Sequence, residues 1–283
     1  MSARLTVPKT YKLAIGGAFP RSESGRTYEV RSPKGAFLAN AAQASRKDAR
    51  DAVKAARAAQ SGWAKATAYN RGQVLYRVAE VLEGRRAQFV DEIVAQQGVS
   101  AAVAGAQVDE AIDLWVWYAG WCDKYAQVAG NLNPVSGAYF NISAPEPTGV
   151  VAIVAPQDSA LLGLVSVVAP ALVAGNAVVV IASERFPLSA ISLAEVLATS
   201  DVPGGVVNVL TGSPAELAPW LAAHADVNAL DLAGAGDIDW VDLQISAADT
   251  LKRVLAPGEV VASPQRIAAF TEVKTVWHPK SMV

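Results

Sequence analysis

The chain has 283 residues, 52% of them hydrophobic and 18% charged, with a formal net charge of −2. That length suits one large domain or two ordinary ones, and the composition supports a sizeable core. A near-neutral balance without a basic block carries no electrostatic footprint for nucleic acid or an anionic membrane surface. The charged fraction lies below the usual ~25%, which leaves two readings: an apolar face covered by another subunit, or simple alanine richness.

At the start of the chain, residues 1–9 lack the long apolar stretch of a signal peptide. Further on, no run of 18 apolar residues free of charge suggests a membrane span. Residues 11–40 hold short β-type runs broken by Gly and Pro, an irregular β-rich arm. Ser45 and Asp48 form a capping box that opens a helix running through Ala52, Val53, Ala56 and Ala59 to about Trp63. A second long helix is predicted from about Asn70 to Gln97, with Gly98 ending it. Its apolar residues Val74, Leu75, Val78, Leu82, Phe89 and Ile93 fall mostly at steps of three or four.

A third helix, predicted over residues 101–129, carries Leu114, Trp115, Trp117, Tyr118, Trp121 and Tyr125. This band could be a ligand platform, but aromatics at helical spacing belong more often to a core or a subunit contact. Cys122, the single cysteine, lies within it. One cysteine leaves no internal disulfide and suits a reducing cytosol, so a cytoplasmic protein is expected. Residues 130–147 place Gly, Asn and Pro around an extended run, the chemistry of a hairpin or of crossing strands.

Residues 148–212 organise the rest. Three β-branched runs alternate there with two segments of helix length, the mark of βαβ units and a parallel sheet. The runs are almost unbroken apolar sequence, as strands covered on both faces require. Beyond them, residues 217–223 read as a helix and 227–233 as a short strand ending in Gly234-Ala-Gly236. Residues 246–252 read as helical and 252–255 as extended. Pro257 and Gly258 break the chain, and residues 270–277 alternate with period two, a closing strand. The fold class is α/β, a parallel sheet with flanking helices.

The chain carries, in order, residues 11–17, Ala55-Ala-Arg-Ala-Ala59 before Trp63, Pro147-Thr-Gly-Val-Val151 and Ala169-Pro-Ala-Leu172. Ala174-Gly-Asn176, Pro203-Gly-Gly-Val-Val-Asn208 and Thr271-Glu-Val-Lys-Thr-Val276 follow. Each is weak alone. Together, in this order, they resemble the aldehyde dehydrogenase superfamily over nearly the whole sequence. Within it the chain looks most like the non-catalytic second module of the long, two-module members. The resemblance implies a Rossmann-like nucleotide-binding domain over residues 1–129 and 148–256. It implies an oligomerisation β-flap from residues 130–147 and 265–283. The family's catalytic domain is largely absent: residues 251–254 resemble the strand leading into it, and shortly afterwards the chain resembles the family's far C-terminus. Residues 257–264 bridge the gap.

Thiol-dependent aldehyde oxidation needs a thiolate, oxyanion donors, a general base and a hydride acceptor. Cys122 lies far from the family's nucleophile position and reads as a small buried hydrophobe. By the resemblance, Asp158 stands where the oxyanion asparagine belongs, and a carboxylate repels a developing oxyanion. No carboxylate aligns with the general base near Pro257; Glu259, two residues on, reads as part of a turn. The family's Lys and Glu that hold the adenosine ribose correspond to Ile181 and Glu184. Glu184 and Ser183 remain, and Ser183 also reads as a cap for the next helix. The two glycines of the nucleotide loop correspond to Gly234 and Asp239. Asp237 and Asp239 would then sit beside the diphosphate, each costing on the order of 1–4 kcal/mol at a few ångströms. Gly234-Ala-Gly236 by itself is better read as a plain turn. His224 and His278 are scattered, so no zinc-type cluster exists. The pairs Asp91-Glu92 and Asp109-Glu110 read as solvated helix faces.

The expected protein is a pseudoenzyme with no catalytic residue and no metal site. Ser183, Glu184 and Gly234 are vestiges of cofactor binding, with NAD held weakly or not at all. It is expected to assemble through the flap, as a homo-oligomer or as a hetero-oligomer with an active aldehyde dehydrogenase subunit that it stabilises or regulates. Two other readings stay open: a weak NAD(H)-binding sensor, and an NAD-dependent oxidoreductase completed by a partner's cysteine.

Overall fold

The computed structural model describes residues 7–280. After an irregular arm, β1 (Thr27–Arg31) and β2 (Phe37–Ala42) pair antiparallel. The expected capping box is present: Ser45 Oγ accepts from the Asp48 N–H, and Asp48 Oδ2 accepts from the Ser45 N–H at 2.8 Å. It opens α1 (Arg46–Lys65), which Trp63 anchors by donating its indole N–H to Leu172 O at 3.1 Å.

The predicted second helix is two helices, α2 (Ala68–Gly84) and α3 (Arg86–Gln97). Arg85 lies between them at φ −107°, ψ 10°, outside helical geometry. The break is invisible in the hydrophobic spacing because Leu82 and Phe89, two turns apart, are both fully buried. The third helix also ends early. α4 (Ala101–Ala119) gives way to a turn holding Trp121 and Cys122, then to the short α5 (Tyr125–Ala129). Trp115 and Tyr118 are fully buried, so the aromatic band is mainly core.

β3 (Asn131–Asn133) and β4 (Tyr139–Pro147) come next. The winding unit then runs β5 (Val150–Val154), α6 (Leu162–Val173), β6 (Ala177–Ile181), α7 (Leu188–Ala198), β7 (Val207–Leu210). It continues as α8 (Pro214–Ala223), β8 (Ala229–Asp231), α9 (Trp240–Ala248) and β9 (Arg253–Leu255). The helix predicted at 246–252 starts earlier because Asp239 caps it, accepting from the Asp242 N–H at 3.3 Å. α10 (Pro264–Ala268) and β10 (Thr271–Pro279) close the described chain. α10 lies in the stretch read from the sequence as bridge and flap, and Ile267 and Phe270 are fully buried.

The five parallel strands lie in the order β7-β6-β5-β8-β9. The chain winds outward one way from β5, then returns to wind the other way from β8, a doubly wound topology with its switch point between β5 and β8. β5 and β6 are buried at every position. Their alternate residues serve two layers. Val151, Ile153, Val178 and Val180 pack with α2, α3, α4, α6 and α7; Val150, Ala152, Val154, Val179 and Ile181 pack with α1, α8 and α9. Each fully buried branched side chain stabilises the fold by about 1.5–3 kcal/mol.

Buried asparagines join the layers. Asn176 accepts from the Gly149 N–H at 2.8 Å and donates to Ala171 O and Phe270 O, both at 2.9 Å. Gly175, at φ +101°, makes that turn possible, with Ala64 Cα only 2.9 Å from where a Cβ would stand. Asn208 accepts from the Gly16 N–H at 2.9 Å and donates to Gly205 O and Val178 O.

β10, β4 and β3 form a separate antiparallel sheet in that order. It joins the main body through Tyr125 Oη–Thr271 Oγ1 at 3.0 Å and the Arg253–Glu272 ion pair, with Nη2–Oε2 at 2.8 Å. Among the described residues, no helix is long and apolar enough to cross a membrane.

Candidate functional site: a cleft at the switch point

The carboxyl ends of β5, β8 and β9 converge beside the switch point. The segment after β5, the start of α6 and one side of α4 complete a cleft of about 550 Å³. Glu110, Leu114, Gln157, Asp158, Ser159, Gly234, Asp237 and Glu259 are among its walls. A crevice outside the strand ends at a switch point is where open α/β sheets take ligands.

Of the three vestigial positions, the structure brings Gly234 into this cleft. Its N–H donates to Val154 O at 2.9 Å, and a Cβ there would lie 1.8 Å from Ala155 O. Contact between the two strand ends accounts for this glycine without a phosphate. Ser183 and Glu184 lie on the neighbouring loop after β6. The Ser183 hydroxyl donates to Gln157 O at 2.9 Å and accepts from the Phe186 N–H at 3.2 Å. It therefore caps a turn rather than α7 itself. Glu184 donates its N–H to Gln157 Oε1 at 2.9 Å, and its residue is exposed. Gln157 thus staples this loop to the cleft wall, a role its place beside Asp158 did not announce.

The cleft is acidic. Glu110, Asp158, Asp237 and Glu259 line it, and no Lys, Arg or His does. One sequence reading changes here. Asp239 is absent from the cleft lining, and its carboxylate caps α9. Glu110 is exposed, as the solvated-face reading has it, and with Leu114 it also lines the cleft from α4, while its neighbour Asp109 pairs with Arg86 at 2.8 Å. Glu259 lies in irregular chain after β9 and is among the residues lining the cleft.

These residues do not fit an anionic dinucleotide. A diphosphate would meet carboxylates with no cation to offset them, at about 1–4 kcal/mol each. The first turn of α9 is closed by Asp239, and at the start of α6 the Gly163 N–H is taken by Ser159 Oγ at 2.8 Å. Cys122 is no substitute nucleophile. It is buried in the turn after α4, its Sγ 3.7 Å from Tyr118 O, and burial pushes its thiol up to about 12. Among the described residues, no group of three His, Cys, Asp or Glu side chains is placed to hold a metal ion.

The sheet order and the switch-point cleft define a Rossmann-like α/β fold. Residues 19–257 match the sequence profile described as the aldehyde dehydrogenase family, and the chain belongs to that family. It is 32% identical over 259 residues to the cytosolic 10-formyltetrahydrofolate dehydrogenase of Mus musculus, covering 89% of this chain and 28% of that protein. It is 33% identical over 247 residues to aldehyde dehydrogenase family 2 member B4, mitochondrial, of Arabidopsis thaliana, covering 86% and 45%. The crystal structure of HpcC from Thermus thermophilus superposes with a TM-score of 0.80 at 30% identity, covering 87% of this chain and 47% of that one. An NAD+ complex of aldehyde dehydrogenase from Bacillus cereus gives a TM-score of 0.81 at 27% identity, covering 87% and 50%. The chain spans half or less of the length of these relatives.

Proposed function

We propose that this chain is an aldehyde dehydrogenase-family pseudoenzyme. It assembles with an active aldehyde dehydrogenase subunit and stabilises or regulates it, in the cytoplasm. The observation that carries this reading is the switch-point cleft, which keeps its place in the fold while offering no thiol and no cation. The three-stranded sheet supports the assembly half of the reading, since Leu132, Phe140, Ile142 and Trp277 on it are exposed.

The test is to purify the chain alone and together with a full-length aldehyde dehydrogenase from the same cells. Mass by light scattering and aldehyde-dependent NADH formation are then measured. The expected result is no turnover by the chain alone, a discrete mixed assembly, and altered stability or rate of the active subunit. Turnover by the chain alone that Cys122→Ala abolishes would overturn the reading, as would failure to assemble.

A second reading, an oxidoreductase completed by a partner's cysteine, draws on Glu259 in the cleft wall. It requires the mixed assembly to lose activity on Glu259→Gln in this chain.

A further inference from the structure

On the sheet face opposite α4, α1 and α8 run alongside each other and leave a groove of about 340 Å³. Arg46, Lys47, Arg50, Trp220, Leu221 and His224 line it, with no carboxylate among the lining residues. The guanidinium of Arg46 lies 4.3 Å from the centre of the Trp220 ring, which remains 45% exposed. His224 Nδ1 accepts from the Asp226 N–H at 3.1 Å, so the proton of the neutral ring resides on Nε2. The groove therefore holds three fixed cations, one further N–H donor and an accessible aromatic surface.

The helix itself gains nothing from these cations. Arg46, Lys47 and Arg50 fall in the first turns of α1, where positive charge opposes the helix macrodipole. The end is already capped by Ser45 and Asp48. Nor are the cations consumed by strong ion pairs. Lys47 meets Glu23 at 3.4 Å and Arg50 meets Asp51 at 3.3 Å, both in exposed pairs of the kind that exchange readily. Residues that break a local rule without a compensating gain mark function. The groove lies near the lower bound of typical small-ligand sites, which fits one ring and one charged group.

We propose that the α1–α8 groove binds a small aromatic anion. Lys47, Arg50 and His224 hold its phosphate or carboxylate, and its ring lies beside Trp220. This site shares no residue with the switch-point cleft, whose acidic walls repel the same ligand. The proposal stands apart from the pseudoenzyme reading.

The test is calorimetric titration of the full chain with adenosine 5′-monophosphate, inorganic phosphate and adenosine, with benzoate in parallel to tell a carboxylate site from a phosphate site. The expected result is one saturable site for the monophosphate or for benzoate at about 0.1–1 mM, with either half of the nucleotide at least about tenfold weaker than the whole. Lys47→Glu with Arg50→Glu should weaken binding by about tenfold or more. Trp220→Ala should weaken ring-bearing probes and leave inorganic phosphate unchanged. These side chains are at the surface, so unchanged thermal melting confirms that the variants fold. No saturable binding of either aromatic probe up to about 5 mM would overturn the proposal. Binding untouched by charge reversal, or abolished by Glu184→Ala, would do so equally.

Discussion

Arg266, on α10, donates its guanidinium N–H to the carboxylate of Asp231, which lies fully buried at the last position of β8. Asp231 Oδ1 also accepts from the Ala233 N–H at 3.1 Å. The pair fastens the segment after β9 to the end of the sheet. Burial drives the Asp231 carboxyl above the ordinary carboxylate range, and the adjacent Arg266 opposes that rise. Removing the arginine leaves a buried charge without its partner. Arg266→Met should therefore cost about 3–5 kcal/mol in urea denaturation at neutral pH, and Asp231→Leu with Arg266→Met should cost much less. An acid whose folded-state pKa is raised contributes stability below its unfolded pKa and loses it as pH rises through the folded value. Without Arg266 the rise is larger, so the deficit of the single variant should shrink as pH falls from about 7 toward about 4. An equal deficit at both pH values would sink this account.

Gly234 permits a second test of packing against ligand. Ala155 O lies 1.8 Å from where an added methyl would stand, so Gly234→Ala must push apart the ends of β5 and β8. A loss on the order of 1–3 kcal/mol is expected in thermal melting without any nucleotide present. A variant as stable as the parent would return Gly234 to the status of a phosphate-loop residue.

Much of this fold is legible in the sequence because its central strands are buried on both faces and cannot be polar. The unbroken runs of β5 and β6 and the Ser45–Asp48 box gave their elements directly. Periodicity failed at Arg85, where Leu82 and Phe89 keep one face across a break. At Asp239 the family resemblance set a carboxylate in the nucleotide loop without showing its partner, the Asp242 N–H at the start of α9. The site was harder to read. Glu110 and Glu259 belong to a helix face and an irregular segment far apart in sequence, and only the tertiary fold brings both to the cleft. The fate of Ser183 was equally hidden, since its partner Gln157 lies on another loop.

Burial of Cys122 makes a chemical prediction. A thiol pushed up to about 12 holds almost no thiolate at neutral pH. Alkylation by iodoacetamide at pH 8 should be negligible in the native protein and rapid in urea. Tyr11 is also raised to about 12, first by burial and then by Glu92 and Glu195. Both folded-state values lie above the unfolded ones, so their contribution is full below about pH 9 and lost as pH climbs through about 12. Stability should fall over that alkaline interval, and Cys122→Ala with Tyr11→Phe should flatten the fall.

The acidic cleft predicts that NAD binds near millimolar or not at all in calorimetry. If repulsion is the cause, removing charge must help. Asp237→Ser with Glu259→Gln should tighten NAD by about tenfold or more, since each carboxylate near a phosphate costs roughly 1–4 kcal/mol. Micromolar binding by the parent chain would refute the electrostatic reading, as would no gain in the double variant.

The last prediction concerns the β3-β4-β10 sheet, whose two faces differ. On one, Asn133 donates to Asn141 at 2.6 Å and to Ser143 at 2.8 Å, Ser143 meets Thr275 at 2.8 Å, and Tyr139 packs edge-on to Trp277. That face is internally satisfied. On the other, Leu132, Ile142 and Val276 stand in one cross-strand row, with Phe140 and His278 paired beside them. Leu132 is 62% exposed and Ile142 43%. β10 is also an edge strand, its outer backbone open to pairing among the described residues, with Lys274 as its main deterrent. An apolar row beside an open edge favours assembly through this sheet. If each subunit buries ~800 Å² or more, a discrete oligomer should persist at micromolar concentration in light scattering. Leu132→Glu with Ile142→Glu should shift the mass to monomer while leaving thermal melting of the monomer little changed, because both side chains project from the sheet surface. A monomeric parent chain would defeat this assignment. An oligomer whose mass ignores the two substitutions would move the interface to the half-exposed Trp117 on α4.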